Sequence, residues 1–486
     1  MKTFLKGLAL LAAITSLVWI VVIWRWQVSQ RNVSGDDLAL YLVLLPLVLF
    51  AFVLALRWAV KGALAKQQAA AVALASAAEQ AGAGKPAAEA ERSGTEAKER
   101  HLSWPVLGAW VGGPAGEDIA SVLEAAKASK PAPTPDALLR DFDGLPVLCA
   151  RSDGVDAKPV EKAWGEWLQA HGKAGEPPAG SGVARALAAL APLLEQAGAV
   201  VDEWVASQPA DRGAVARVRV LAAWPAQWAE AEVAWARAWL DLQARQLAAG
   251  ALPLDRWQLQ HLPSASGPQA WQYADKLLLT MQREQCHDLL LLVACHSDIS
   301  QASIDAMGSA RTLFSAAHHT KGHMPGEGAA ALLLSPISQP EQASPQVPLA
   351  WLHRPACRRR DKSIDAAGKT SAEALQQAVS EAIQLAGLPA EGLAGLCCDA
   401  DRHSARATEL FATTIELLPH LDAIEELRLV GVTHGHTRQT GALWAVAGAI
   451  HQAAQAERPA IAMSLSDEHW RMAMVVRHRL PDPAAT

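Results

Sequence analysis

Gly322-His323-Met324-Pro325-Gly326-Glu327-Gly328-Ala329-Ala330-Ala331-Leu332-Leu333-Leu334 constrains the fold of this 486-residue chain more than any other stretch. Its glycines bracket Glu327 in a turn, and the turn runs straight into an uncharged segment, Ala329 to Ser335, that reads as a buried strand. From Leu102 onward, short apolar runs alternate with amphipathic stretches, the pattern of an α/β domain. Further strands are expected at Trp104 to Val111, Leu145 to Ala150, Ala216 to Ala223 and Asp288 to Cys295. Others are expected at Gly392 to Cys398, Glu426 to Val432 and Ala460 to Leu465. Helical patterns lie between them, at Gln269 to Gln285, Thr370 to Ala386, Ala405 to Leu418 and Gly441 to Ala454.

An apolar content of 51% supplies a real core, and a net charge of −6 without a basic stripe argues against nucleic acid as a partner. The six cysteines show no metal-ligand spacing and sit mostly in apolar runs, as free thiols of a reducing compartment do. That places the folded part in the cytosol. The alanine richness, and the preference for tryptophan over tyrosine and phenylalanine, point to a GC-rich bacterial genome.

The N-terminal part reads differently. Leu8 to Trp24 is apolar apart from Thr15 and Ser16, and Leu38 to Leu56 carries no charge, so each is long enough for a helix across the bilayer. Trp24, Trp26 and Trp58 stand where an interfacial belt holds them. A cleaved signal peptide is disfavoured because no small-residue site follows the first span. Lys2, Lys6, Arg57, Lys61 and Lys66 flank the spans on one side, which puts both termini and the globular domain in the cytoplasm of an inner-membrane protein. The expected organisation is a two-helix anchor over 1–61, an Ala/Glu-rich tether over 62–100 and a globular domain over 101–480. Within that domain, about 155–250 reads as a variable or inserted helical region, including the tryptophan-rich helix Trp224 to Leu247, whose tryptophans read as core. A coiled-coil stalk is the rival for the tether, but its apolar residues are mostly alanine, with no leucine seam.

Three other segments share a pattern with the opening turn. Pro263-Ser264-Ala265-Ser266-Gly267-Pro268-Gln269-Ala270 resembles the nucleophile turn "A-C-A-S-G-x-x-A" of the β-ketoacyl synthases, and Gly326-Glu327-Gly328 resembles their "PGEGA" turn. The run from Asp288 through Cys295 to Asp298 is similar to their "D-x-x-L-x-G-G-x-D" strand. Thr433-His434-Gly435-His436-Thr437, with Gly441 and Gly448 following, is similar to the "G-H-T-x-G-A-A-G" turn that carries a catalytic histidine. The resemblance covers about residues 250–478 and implies a thiolase-like layered fold, αβαβα, and a homodimer. It makes Gly326, Glu327, Gly328, Gly267, Gly435 and Gly448 structural motif residues.

The catalytic positions that the resemblance implies are degenerate. Ser264 stands where the family has its cysteine, and a hydroxyl is far less acidic than a thiol. His436 keeps the second histidine, Gly431 replaces the lysine five residues before it, and Asp401 rather than His403 registers with the first histidine. No catalytic residue, cofactor or metal is therefore expected. His434, His436, Asp399, Asp401 and His403 have the chemistry of metal ligands, but turn residues that satisfy loop backbone are the commoner explanation. Arg358-Arg359-Arg360-Asp361-Lys362 is a basic run for anionic lipid or a solvated loop. No P-loop, dinucleotide fingerprint or Ser-His-Asp motif occurs.

These readings describe a membrane-anchored pseudo-ketosynthase that binds or assembles partners in an inner-membrane complex. The alternative is a divergent enzyme that processes acyl thioesters. The overall layout also resembles uncharacterised proteins encoded with bacterial type VI secretion systems.

Overall fold

Every residue of Glu327–Leu334 is buried, and so is every residue of Leu289–Ser297 beside it. Strands covered on both faces need apolar side chains on both, which is why neither run alternates with polar residues. A computed structural model describes residues 98–130, 133–172, 181–207, 217–248, 250–262, 266–316, 318–336, 347–366 and 370–479. These belong to one unit, Glu96–Thr486. The two expected membrane spans, and the tether up to residue 97, lie outside the described residues.

The strands of the first half are β1 (Ser103–Gly112), β2 (Thr134–Arg140), β3 (Pro146–Cys149), β4 (Val218–Ala223), β5 (Trp257–Leu262), β6 (Leu289–Ser297) and β7 (Glu327–Leu334). Those of the second are β8 (Ala350–His353), β9 (Ala356–Arg359), β10 (Leu396–Cys398), β11 (Leu427–Leu429), β12 (Ala460–Ser464) and β13 (Trp470–Arg477). Between them run α1 (Ile119–Ala128), α2 (Lys158–Ala170), α3 (Ser181–Ser207), α4 (Glu230–Leu247), α5 (Gly267–Arg283) and α6 (Gln301–Ser309). They are followed by α7 (Glu373–Ala386), α8 (Ser404–Leu417), α9 (Gly431–His434) and α10 (Gln439–Ala456).

The large sheet runs β11-β10-β12-β13-β8-β1-β7-β6-β4-β5, with β9 beside β13. Divided between β8 and β1, it is one pattern used twice. In each half the five strands of this path lie in the order third, second, fourth, fifth, first, and the fifth, β7 or β13, is antiparallel to both its neighbours. In each half, too, a long helix follows the third strand: α5 after β5, and α10 after β11 and the short α9.

Side-chain alternation along the strands assigns the layers. Leu290, Leu292 and Ala294 of β6 and Met472, Met474 and Val476 of β13 share one apolar cluster with α5 and α10. The intervening residues of β6, Leu289, Leu291 and Val293, pack with α2, α3 and α4. Those of β13, Ala473 and Val475, pack with α7. Helices, half-sheet, central helices, half-sheet and helices follow in turn, a five-layer αβαβα arrangement. The central α10 is buried almost all round, as its position requires. Small residues let it pack closely: a Cβ on Gly267 would lie 2.3 Å from that of Ala442, and one on Gly448 would lie 2.3 Å from Cys397 Sγ.

Several expectations shift in detail. Leu145 to Ala150 gives β3, which pairs with β2 in a separate hairpin instead of joining the large sheet. The strand expected over Glu426 to Val432 stops at Leu429, because the chain turns into α9 where Gly431 meets the backbone of Asp399 and Ala400. The stretch 155–250 contains α2, α3, β4 and α4, with Trp224, Trp228, Trp235 and Trp239 all buried. Among the described residues one helix, Gly182–Ser207, is long and apolar enough to cross a membrane, and over half of its apolar window is buried against the rest of the domain.

Candidate functional site

Two glycine turns interlock at one end of the central helices. Gly435 has a left-handed φ of 67°, and a Cβ there would lie within 3 Å of the carbonyl oxygens of Met324 and Pro325. A Cβ on Gly326 would in turn run into the carbonyl of His434. With both positions glycine, the backbones meet and the His436 N–H donates to the Met324 carbonyl at 2.8 Å. Glu327 anchors the arrangement from inside. Its carboxylate accepts hydrogen bonds from Arg185 (2.6 and 2.8 Å), Ser297 Oγ (2.8 Å) and the Ser152 N–H (2.7 Å).

That approach brings His323 and His436 together with their rings stacked, centroids 4.1 Å apart and planes 19° from parallel. Asp401, in the loop after β10, completes the group: its Oδ2 lies 3.9 Å from Nδ1 of each histidine. The three side chains offer ligand atoms all within 4.8 Å of one another. Arg406 of α8 is fully buried behind them and donates to Asp401 at 3.1 Å and to the carbonyls of Leu465 and Ser466. Burial pushes the Asp401 carboxyl up, but the Arg406 guanidinium and His323 outweigh it and hold the group well below the usual carboxylate range. Burial, with His323, Arg438 and Arg406 adding to it, keeps His436 neutral.

The cluster borders a cavity of about 290 Å³, lined among others by Ser266, His323, Arg406, His436, Arg438 and His469. Arg438 reaches it from a strained backbone, with φ 49° and ψ −126°. No cysteine is among the lining residues. All six cysteines are free. Burial pushes Cys149 and Cys357 up to about 12, and it also raises Cys295, Cys397 and Cys398.

No family model matches the chain, and no curated protein matches it. Solved structures do. The ketosynthase from module 6 of the bacillaene synthase of Bacillus subtilis 168 superimposes with a TM-score of 0.53 at 12% identity, over 78% of this chain and 72% of that one. A Cys-to-Ser variant of the same ketosynthase gives the same values. The fold is that of a ketosynthase domain. At that identity the ketosynthase likeness extends to the fold alone, and any chemistry must come from the residues present.

Those residues are placed as follows. Ser264 lies outside the described residues; the next motif residues, Ser266 and Gly267, cap and open α5, with Ser266 and Gln269 exchanging hydrogen bonds in a capping box. Gly431 is sealed: a Cβ there would lie 2.4 Å from the Asp399 carbonyl oxygen and 2.7 Å from that of Ala400. His403 caps α8 and faces Asp365 at 3.1 Å, with its ring 6.2 Å from that of His323. Asp399 accepts hydrogen bonds from Ser464, Ser466 and the Leu465 N–H. His434 lies edge-on to Trp444, with Nδ1 2.8 Å from the Val430 carbonyl. Of the five residues with ligand chemistry noted in the sequence, only Asp401 and His436 converge.

His323 supplies the third member, and sequence reasoning gave it no role. The one available signal was a histidine inside a glycine turn that leads into a wholly buried strand. In the basic run, Arg358 pairs with Glu381 at 2.6 Å and Arg360 with the buried Glu409 at 2.8 Å, so two of its cations are engaged within the domain.

Proposed function

We propose that this chain is a pseudo-ketosynthase that binds a ligand or partner without condensing acyl groups, anchored in a bacterial inner membrane by residues 1–61 as part of an inner-membrane complex. The observation that carries the non-condensing reading is the cavity beside His436, whose lining contains no cysteine. Acyl transfer of the ketosynthase kind starts from a thiolate, and the thiols of this chain lie elsewhere and are mostly driven toward the protonated form by burial. The packing at Gly431 supports the same reading, since it leaves no room for a lysine. So does Asp401, which brings a carboxylate where a condensing site needs a donor to an oxyanion.

The membrane part of the proposal rests on the uncharged runs Leu8 to Trp24 and Leu38 to Leu56 and on the lysines around them. The shared layout supports type VI secretion as the setting. Incubation of the purified chain with acyl and malonyl thioesters, followed by intact mass measurement, is the direct test, and no covalent adduct is expected. An adduct on Ser264 that disappears in Ser264→Ala would overturn the reading in favour of an acyl-processing enzyme. For topology, reporter fusions after Ala63 should report cytoplasm and an insertion near Ser34 should report the outside. An external signal from a C-terminal fusion would reverse the orientation.

A further inference from the structure

We propose that His323, Asp401 and His436 bind a divalent transition-metal ion, zinc being the reference case, with an open coordination position toward the adjoining cavity. The inference goes beyond the non-condensing reading and is tested separately from it.

Donor type and geometry carry it. Two imidazole nitrogens and one carboxylate oxygen converge from three segments of the chain: the turn before β7, the loop after β10 and the turn before α10. Because the rings stack, their Nδ1 atoms face the same carboxylate oxygen, each at 3.9 Å. Ligands of a tetrahedral zinc ion, with bonds of 2.0–2.1 Å, stand about 3.3 Å apart, so the two His–Asp separations must close by roughly half an ångström and the widest pair of the set by up to about 1.5 Å. A lysine or arginine tip in the same place would bring no lone pair, whereas these three groups bring one each.

The hydrogen-bond pattern agrees. His436 is 6% exposed, and its Nδ1 has no hydrogen-bond partner, a costly state for a polar atom aimed into a cluster of ligand atoms. His323 Nδ1 lies 3.4 Å from Arg406 Nη1, and arginine can only donate, so the lone pair of that nitrogen is directed at Arg406 and reaches a metal once Arg406 turns to Asp401 alone. Arg406 donates to both carboxylate oxygens, Oδ2 at 3.1 Å and Oδ1 at 3.3 Å, and with a metal on Oδ2 its bond to Oδ1 would be that of an outer-shell partner. It also offsets the charge of Asp401, which disfavours hard, oxygen-seeking cations such as calcium and favours an ion held through imidazole nitrogen.

The test uses the full-length chain, stripped with a chelator, supplied with Zn²⁺ or Co²⁺ and desalted. One ion retained per chain is expected, with the intense visible bands of four-coordinate Co²⁺ and a higher Tm in zinc. His323→Ala, His436→Ala and Asp401→Asn should each abolish retention and the Tm rise. Since substitution in so buried a cluster can prevent folding, zinc X-ray absorption on the unsubstituted chain gives an independent answer: two imidazoles, oxygen and no sulfur. Retention far below one ion per chain would overturn the site. So would retention unchanged in all three folded variants, or sulfur in the coordination shell. The acylation test on Ser264 can fail or succeed without altering any of these outcomes.

Discussion

Arg185 and Glu327 form an ion pair of 2.6 Å in which the carboxylate is 1% exposed and the guanidinium 13%. It ties α3, in the stretch where the sequence shows no family motif, to the glutamate of the turn that opens β7. Arg185→Ala would leave a buried carboxylate without its counter-charge, a loss of about 3 kcal/mol or more. Urea unfolding followed by tryptophan fluorescence should show that drop. Adding Glu327→Gln to Arg185→Ala should recover part of it, and an unchanged midpoint in the single variant would contradict the role given to the pair.

Gly431 cannot be replaced, by substitution alone, with the lysine that the resemblance to β-ketoacyl synthases would put there. The carbonyl oxygens of Asp399 and Ala400 stand at 2.4 and 2.7 Å from where a Cβ would be, and both are backbone atoms in a buried loop. Even Gly431→Ala should cost roughly 1–3 kcal/mol through overpacking. Gly431→Lys should express poorly or unfold early, as measured by Tm, and should gain no condensing activity.

Acid should weaken the fold before carboxylates begin to titrate. Burial holds His434 and His261 down to about 4 and His353 to about 3, against an ordinary value of 6.5. Each takes up a proton more readily in the unfolded chain, so the stability it contributes is complete above pH 6.5 and is lost as the pH falls toward 4. The decline is at most roughly 1.4 kcal/mol per pH unit for each histidine. Unfolding midpoints between pH 7.5 and pH 5 should reveal it. His353→Gln should flatten the slope, because glutamine keeps an acceptor for the Arg477 Nε–H, which reaches His353 Nε2 at 3.0 Å, without titrating.

Among the described residues β5 ends the large sheet, bonded on one side only to β4, and most of its residues are partly exposed. An open edge of that kind pairs with another strand unless something covers it. We expect a second copy of the chain to cover it across a two-fold axis. Sedimentation of the full chain in detergent, corrected for bound detergent, should give a dimer. A monomer at micromolar concentration would show that the edge is protected otherwise.

Much of the architecture was legible in the sequence where one physical signal dominated. Uncharged runs such as Ala329 to Ser335, and Leu289 to Cys295 within the expected Asp288 to Cys295, read as strands covered on both faces, and they became β7 and β6. β13 was missed because it carries Arg471 in its buried part, where Glu409 pairs with it at 2.9 Å; a charge satisfied from a distant helix breaks the apolar pattern. β8 and β9 are four residues each, too short to show a period. For the site, the motifs singled out Asp401 and His436 among the expected positions, but the convergence of His323 with them was not legible. It depends on two glycine turns closing on one another, and spacing along the chain carries no trace of that contact.

The junction between the two halves has a consequence for how the chain is made. β1 is synthesised before the other described strands, yet its partners β7 and β8 meet it in register at Val106 with Leu334 and with Ala350, about half the chain's length later. Until they emerge from the ribosome, Trp104, Val106 and Val111 belong to a strand with both edges open. Non-local pairing of this kind makes for slow folding and a long-lived nascent intermediate, exposed to aggregation and dependent on chaperones during synthesis.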